Sequence, residues 1–211
     1  MAPLSKQANQ TRWLLPDAAP LPPFDFCLAM RLLGQDMVAR TPSLSHVDFS
    51  KIATVFAQAR KRVNYGIYAS LTPLRFKDGS LTTKRRGRPY TVQRLHDSAG
   101  NELLYILTFY LPRFQDLDLR EKLITIFHEL WHISPKFDGD IRRHEGRCYA
   151  HTGSQAKYDE HMGTLVDAWL AQRPPEALWS FLKLDFNQLH ARWGRVTGQR
   201  VSRPRLIPVN K

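Results

Sequence analysis

The sequence predicts an α+β domain built as a helix, several strands and then further helices. Three observations point to it. Apolar residues recur at helical spacing early in the chain. The middle holds short β-branched and aromatic stretches bounded by turn residues. After Pro112 the helical period returns and holds for most of the remaining sequence.

The elements follow in order. Residues 1–23 are polar and carry Pro3, Pro16, Pro20, Pro22 and Pro23, so they read as a flexible N-terminal arm without a core. Phe26, Met30, Leu33 and Met37 stand four and three apart, predicting a helix over 24–40 that Thr41-Pro42 ends. The span 47–57 suits either a helix or a strand by spacing, and Thr54-Val55-Phe56 favours the strand. Residues 63–68 read as a strand. Asp78-Gly79 between Leu74-Arg75-Phe76 and Leu81-Thr82-Thr83 signals a hairpin, because a two-residue turn needs positive φ. A basic loop, Lys84-Arg85-Arg86-Gly87-Arg88, precedes a strand over 90–95 and a turn over 98–101. The stretch 103–111 is the most apolar strand and belongs at the sheet centre, with Pro112 stopping it.

Leu119, Leu123, Ile126, Phe127 and Leu130 then define a helix running to about His132, which Pro135 keeps from extending far. Asp118 followed by Glu121 has the form of a capping box. Helices are expected over 155–172, closed by Pro174-Pro175, and over 176–193, ahead of Gly194. The organisation is one domain over 24–194 followed by a basic C-terminal tail, 195–211.

Composition narrows the function classes. With 43% hydrophobic and 24% charged residues in 211, the chain is globular rather than disordered. No apolar run approaches the ~18 residues that span a bilayer, so no membrane partner is expected. Nor does the start of the chain read as a secretory signal. Cys27 and Cys148, the only cysteines, make no disulfide framework, and the expected location is the cytoplasm. The charge is less ordinary at +12. Ten Lys or Arg stand between Arg60 and Arg94 against one acid, Asp78, and no acid follows Asp185. Such clusters either attract a polyanion or simply solubilise the surface. If a nucleic acid is a partner, Lys84, Arg85, Arg86 and Arg88 are the candidate contacts, with Tyr90 and Trp193 placed to stack on bases.

The chemistry sits in Thr125-Ile126-Phe127-His128-Glu129-Leu130-Trp131-His132-Ile133, which contains H-E-x-x-H. On a helix, residues four apart share a face, so the His128 and His132 imidazoles can hold one metal ion. Glu129, one step round, reaches a water beside the ion and acts as general base for attack on a carbonyl. Two surface histidines on a helix would give the same pattern by chance. Against that, the motif lies on an independently predicted helix, and Leu130 and Trp131 are apolar. Five of the eight histidines also fall between residues 128 and 161. The expected cofactor is one Zn²⁺, which at a catalytic site takes three protein ligands and leaves one position open. The candidates for the third place are His144, Glu145, His151 and His161, with Asp138 and Asp140 behind them; geometry favours His144, and His151 is second. A hairpin about Asp138-Gly139 that sets 137 against 140 and 133 against 144 would return His144 to His132. Whichever histidine is not a ligand, or Tyr149, suits an oxyanion. His161 reads as a helix-face residue, and His46, His96 and His190 as ordinary ones.

The run His128-Glu129-Leu130-Trp131-His132-Ile133, with Pro135, Phe137, Gly139, Arg142 and His144, resembles a family of metallopeptidases of phages and archaea. The similarity covers about residues 45–150. It implies a compact zincin-like fold with a small mixed or antiparallel sheet packed on the motif helix and the C-terminal helices, and His144 as third ligand. A more distant similarity joins His151, Gly153 and Tyr158, at altered spacing, to SprT-like zinc proteases, which act on DNA-bound proteins. The expected function is a zinc-dependent peptidase acting on a protein or peptide. The alternatives are a basic nucleic-acid-binding protein with a structural or vestigial zinc, a protease of nucleic-acid-bound proteins, and a hydrolase of other amides or esters.

Overall fold

The apolar stripe Phe26, Met30, Leu33, Met37 forms the buried face of helix α1 (Phe26–Ala39). Asp25 starts the helix by accepting the Leu28 amide at 2.9 Å, satisfying one of the orphan donors of its first turn. A computed structural model describes residues 21–59, 65–143 and 155–209, with side chains in the last range from 160 onward. In it α1 packs on one face of a mixed three-stranded sheet. The sheet order is β2 (Ile52–Gln58), β6 (Tyr105–Leu111), β3 (Ala69–Pro73), with β2 parallel and β3 antiparallel to β6.

The most apolar strand therefore lies at the centre, as expected. Alternation along β6 sends Tyr105, Leu107, Phe109 and Leu111 into the main core. There they meet Leu123, Ile126, Phe127 and Leu130 of helix α2 (Leu119–Trp131) and Met162, Val166 and Trp169 of helix α3 (Gln155–Ala171). On the opposite face Ile106 joins Ala53, Val55, Leu74 and Leu103 in a smaller core covered by Leu95 and Val201.

A second sheet, all antiparallel, has the order β4 (Thr82–Arg85), β5 (Arg88–Val92), β8 (Leu206–Pro208). The pair β1 (Phe24–Asp25) and β7 (Val196–Thr197) is parallel. Much of the basic C-terminal stretch is thus built into the fold, seven residues past Gly194 in Val201 and further on in β8.

Several expectations are corrected. Residues 65–68 are not a strand, and 60–64 lie outside the described residues. Gly66 at φ 106° bends the chain, and the strand begins at Ala69, where pairing to Phe109 turns Ala69 into the core. Asp78 and Gly79 do take positive φ, 57° and 73°, yet no hairpin forms around them. Their neighbours are claimed by another loop: Asp78 N–H donates to the Asp140 carboxylate at 3.0 Å and Arg75 N–H to the Gly139 carbonyl at 3.0 Å. The hairpin lies instead in the basic run read as a loop, where Arg86 and Gly87, φ 47° and 77°, join β4 to β5.

Asp118 stands at the N-cap of α2 but its side chain makes no cap hydrogen bond. The capping box occurs at Asp185 and Gln188, where it starts helix α4 (Phe186–Trp193). The single helix expected over 176–193 is accordingly broken into two 3₁₀ turns and α4. Buried donors turn its carbonyls aside. Lys122 Nζ donates to Leu182 O at 2.8 Å and Leu184 O at 2.9 Å, and Gln115 Nε2 to Phe181 O at 3.0 Å and Leu184 O at 2.7 Å.

Candidate metal centre

Helix α2 buries Leu123, Ile126, Phe127 and Leu130 against the sheet. That choice of face leaves His128 and His132 half-buried beside one another. Their ring centroids are 4.7 Å apart, with the planes 77° from parallel. Two imidazoles one turn apart suit a borderline cation such as zinc as two nitrogen donors. No described His, Cys, Asp or Glu joins them in a group of three. His144 and His151, with Glu145 and Tyr149, lie outside the described residues.

Glu129 is 8% exposed. Burial pushes its carboxyl up to about 7, while the Leu71 amide of β3 pulls in the opposite direction by hydrogen bonding to it. A cation held beside it would lower it again. In front of Glu129 and His128 opens a cleft of about 330 Å³, whose other walls are Ile124 and Thr125 of α2 and the 66–69 approach to β3. The arrangement is a buried carboxylate lining a cleft, next to a pair of nitrogen donors, at the start of an edge strand. Sequence reading missed Thr125 and the β3 wall. Thr125 carried a signal, being polar and three residues before His128 on the same helix face; the β3 wall carried none, because it is brought in by strand pairing.

The turn after α2 is where expectation and geometry differ most. Ile133 bridges Ile141, and Arg142 N–H donates to His132 O at 2.6 Å, so the expected register of 133 against 144 is replaced by 133 against 141. The side chains of the turn explain the shift. Phe137 takes φ 50° and Gly139 φ 85°. The Tyr105 hydroxyl accepts from Gly139 N–H and donates to Asp140 O, both at 2.9 Å. Asp140 receives the amides of Ile141 and Asp78 and a two-point contact from Arg143. It is thus a structural residue; Asp138 accepts the Asp140 amide at 3.2 Å. Arg142 also closes the helix end, its Nε donating to Trp131 O at 2.8 Å and its guanidinium lying 4.1 Å over the Trp131 ring. His161, on α3, packs against Trp131, with ring centroids 4.7 Å apart and planes 74° from parallel. His46 is half-buried and its pKa is lowered by burial and by Arg142 nearby; the His96 backbone forms an isolated β-bridge with Glu102; His190 lies in α4.

A family model described as "Putative phage metallopeptidase" matches residues 28–168. The chain belongs to this phage metallopeptidase family. The match is wider than the 45–150 span of the resemblance and takes in α1, the mixed sheet, the motif helix and nearly all of α3. No curated protein and no solved structure matches the chain. Membership implies a metal ion and peptidase chemistry, and no described helix is long and apolar enough to cross a membrane.

Proposed function

We propose that the protein is a zinc-dependent metallopeptidase of zincin-like fold, in which His128 and His132 hold the ion and Glu129 is the general base. One observation carries the reading: a buried carboxylate opens into the same cleft as one of two histidines whose rings stand 4.7 Å apart. Bound zinc would supply Lewis acidity and bring a water's pKa towards neutrality. Glu129 accepts a proton from water in the cleft and passes it to the leaving amine. Its enclosure keeps the carboxylate out of bulk solvent, where that transfer would be weaker.

The third ligand in this proposal is His144, with His151 as the alternative. Its support is that Arg142, two residues before His144, is already tied to the carbonyls of Trp131 and His132. The proposed substrate is a peptide in extended form. The cleft reaches Ala69, where edge strand β3 begins, and an edge strand can pair with a further extended segment.

Purified protein should bind about one zinc per chain. His132→Ala should lose most of the metal, whereas Glu129→Gln should keep it and lose cleavage of unfolded protein substrates. Cleavage by the Glu129→Gln variant at the wild-type rate would overturn the mechanism.

A further inference from the structure

The basic run that reads as a loop is a two-stranded ribbon, and its pairing sorts the charges. Register sets Thr82 opposite Thr91, Thr83 opposite Tyr90, Lys84 opposite Pro89 and Arg85 opposite Arg88. Side chains alternate along a strand, so Arg85, Arg88 and Tyr90 share one face, Lys84 points to the other, and Arg86 sits in the turn. Arg85, Arg86, Arg88 and Tyr90 together line an open hollow of about 770 Å³.

Two arginines directly opposite one another on a strand pair repel. No acid among the described residues is ion-paired with Arg85, Arg86 or Arg88. The protection of an open sheet edge by charge accounts for residues of β4, which is the edge strand. It does not account for Tyr90, which is flanked on both sides, by Thr83 of β4 and Pro208 of β8. An ordinary solubilising surface mixes signs, whereas this face carries one sign around an aromatic ring. An anion received between the guanidiniums would relieve the repulsion, and arginine's planar fork suits phosphate oxygens.

We propose that this ribbon face binds single-stranded nucleic acid, with Arg85, Arg88 and Arg86 on the backbone phosphates and Tyr90 stacked on a base. Arg88 and Tyr90, two apart on one strand, stand roughly 7 Å from each other along the ribbon. That separation lets one nucleotide reach both, its phosphate on the arginine and its base on the ring. Stacking on an aromatic face is indifferent to base identity, so binding is sequence-tolerant and salt-dependent. The site is separate from the α2 cleft, with no residue in common.

The test is fluorescence anisotropy of the full chain with a labelled oligothymidylate and its oligouridylate counterpart, at two salt concentrations. Arg85→Ser combined with Arg88→Ser should weaken binding about tenfold or more and reduce the salt slope by about 1.4, at ~0.7 per phosphate contact on a single strand. Tyr90→Leu should weaken it about tenfold with the salt slope unchanged. Lys84→Ser removes one positive charge from the opposite face and should change affinity less than twofold. Far-ultraviolet circular dichroism and the melting temperature establish that each variant is folded. No binding by the wild type at low salt overturns the proposal, as does a Lys84→Ser loss per charge equal to that of the arginine pair. Binding to phosphatidylserine vesicles with no binding to either oligonucleotide also overturns it, in favour of a membrane surface.

Discussion

Tyr105 shows how a residue remote from the chemistry can set it. Its ring is fully buried beneath the mixed sheet, and its hydroxyl holds both Gly139 N–H and Asp140 O of the turn that follows the motif helix. Tyr105→Phe keeps the ring and leaves the Gly139 N–H without its partner, whereas Asp140 O keeps the Ser134 amide at 3.2 Å. An orphaned buried group costs about 1–3 kcal/mol. The expected outcome is a fall of that order in unfolding free energy, measured in urea, and weaker metal retention in competition with a chelator, because the turn no longer holds its register. Gly139 offers an independent check. At φ 85° a side chain is strained, and an added Cβ would stand 2.5 Å from Arg75 Cγ. Gly139→Ala should therefore destabilise by about 1–3 kcal/mol or more in the same assay.

At the level of elements, Glu102 joins the two sheets. It receives Arg75, which follows β3, and Arg94, which follows β5, the latter through Nε at 2.7 Å and Nη2 at 2.6 Å. Arg94, above all, with Arg75 draws the carboxyl down to about 2 from its ordinary 4.5. The sign follows from the depressed value. The folded protein holds that proton less tightly than the unfolded chain, so the contribution to stability is complete above pH ~4.5 and disappears as pH falls through about 2. Stability measured at pH 5 and pH 3 should fall in the wild type, and Glu102→Gln should flatten the difference. What the sequence revealed of these elements follows from range. The motif helix, α1 and the central strand are written in local periodicity, and all three were legible. The break over 176–193 was not, since it depends on Lys122 and Gln115 reaching across from a distant part of the chain to take carbonyls a helix would need. The hairpin was misplaced for a similar reason: two turn signals, Asp78-Gly79 and Arg86-Gly87, stand eight residues apart, and long-range contacts to Asp140 and Gly139 decide between them. In the site, His128, Glu129 and His132 come from one helix and could be read from spacing, whereas the β3 wall could not.

Across the whole molecule, the C-terminal stretch seals what the family region leaves open. The family match ends at 168, yet Val201 covers the second core and β8 gives β5 a partner through Gln93 N–H to Arg205 O at 2.8 Å and Val209 N–H to Pro89 O at 3.0 Å. Deleting residues 199–211 should bare the β5 edge and the Ala53–Val55–Ile106 cluster. A lower thermal midpoint and a rise in light scattering are expected, with metal content unchanged, since these contacts lie on the sheet face away from α2.

The small β1–β7 pair governs timing. The Thr197 hydroxyl donates to Phe24 O across 173 residues of sequence, and the Phe24 amide reaches Arg195 O at 2.9 Å. Closing so long a loop is among the slowest contacts a chain makes, and on the ribosome it cannot begin until residue 197 has emerged. The mixed sheet and α2 draw on residues 52–131 and can assemble well before then. During synthesis the nascent chain therefore passes through an interval in which the histidine pair can already be folded while the seam beside α1 stays open, waiting on a zipper of two residues.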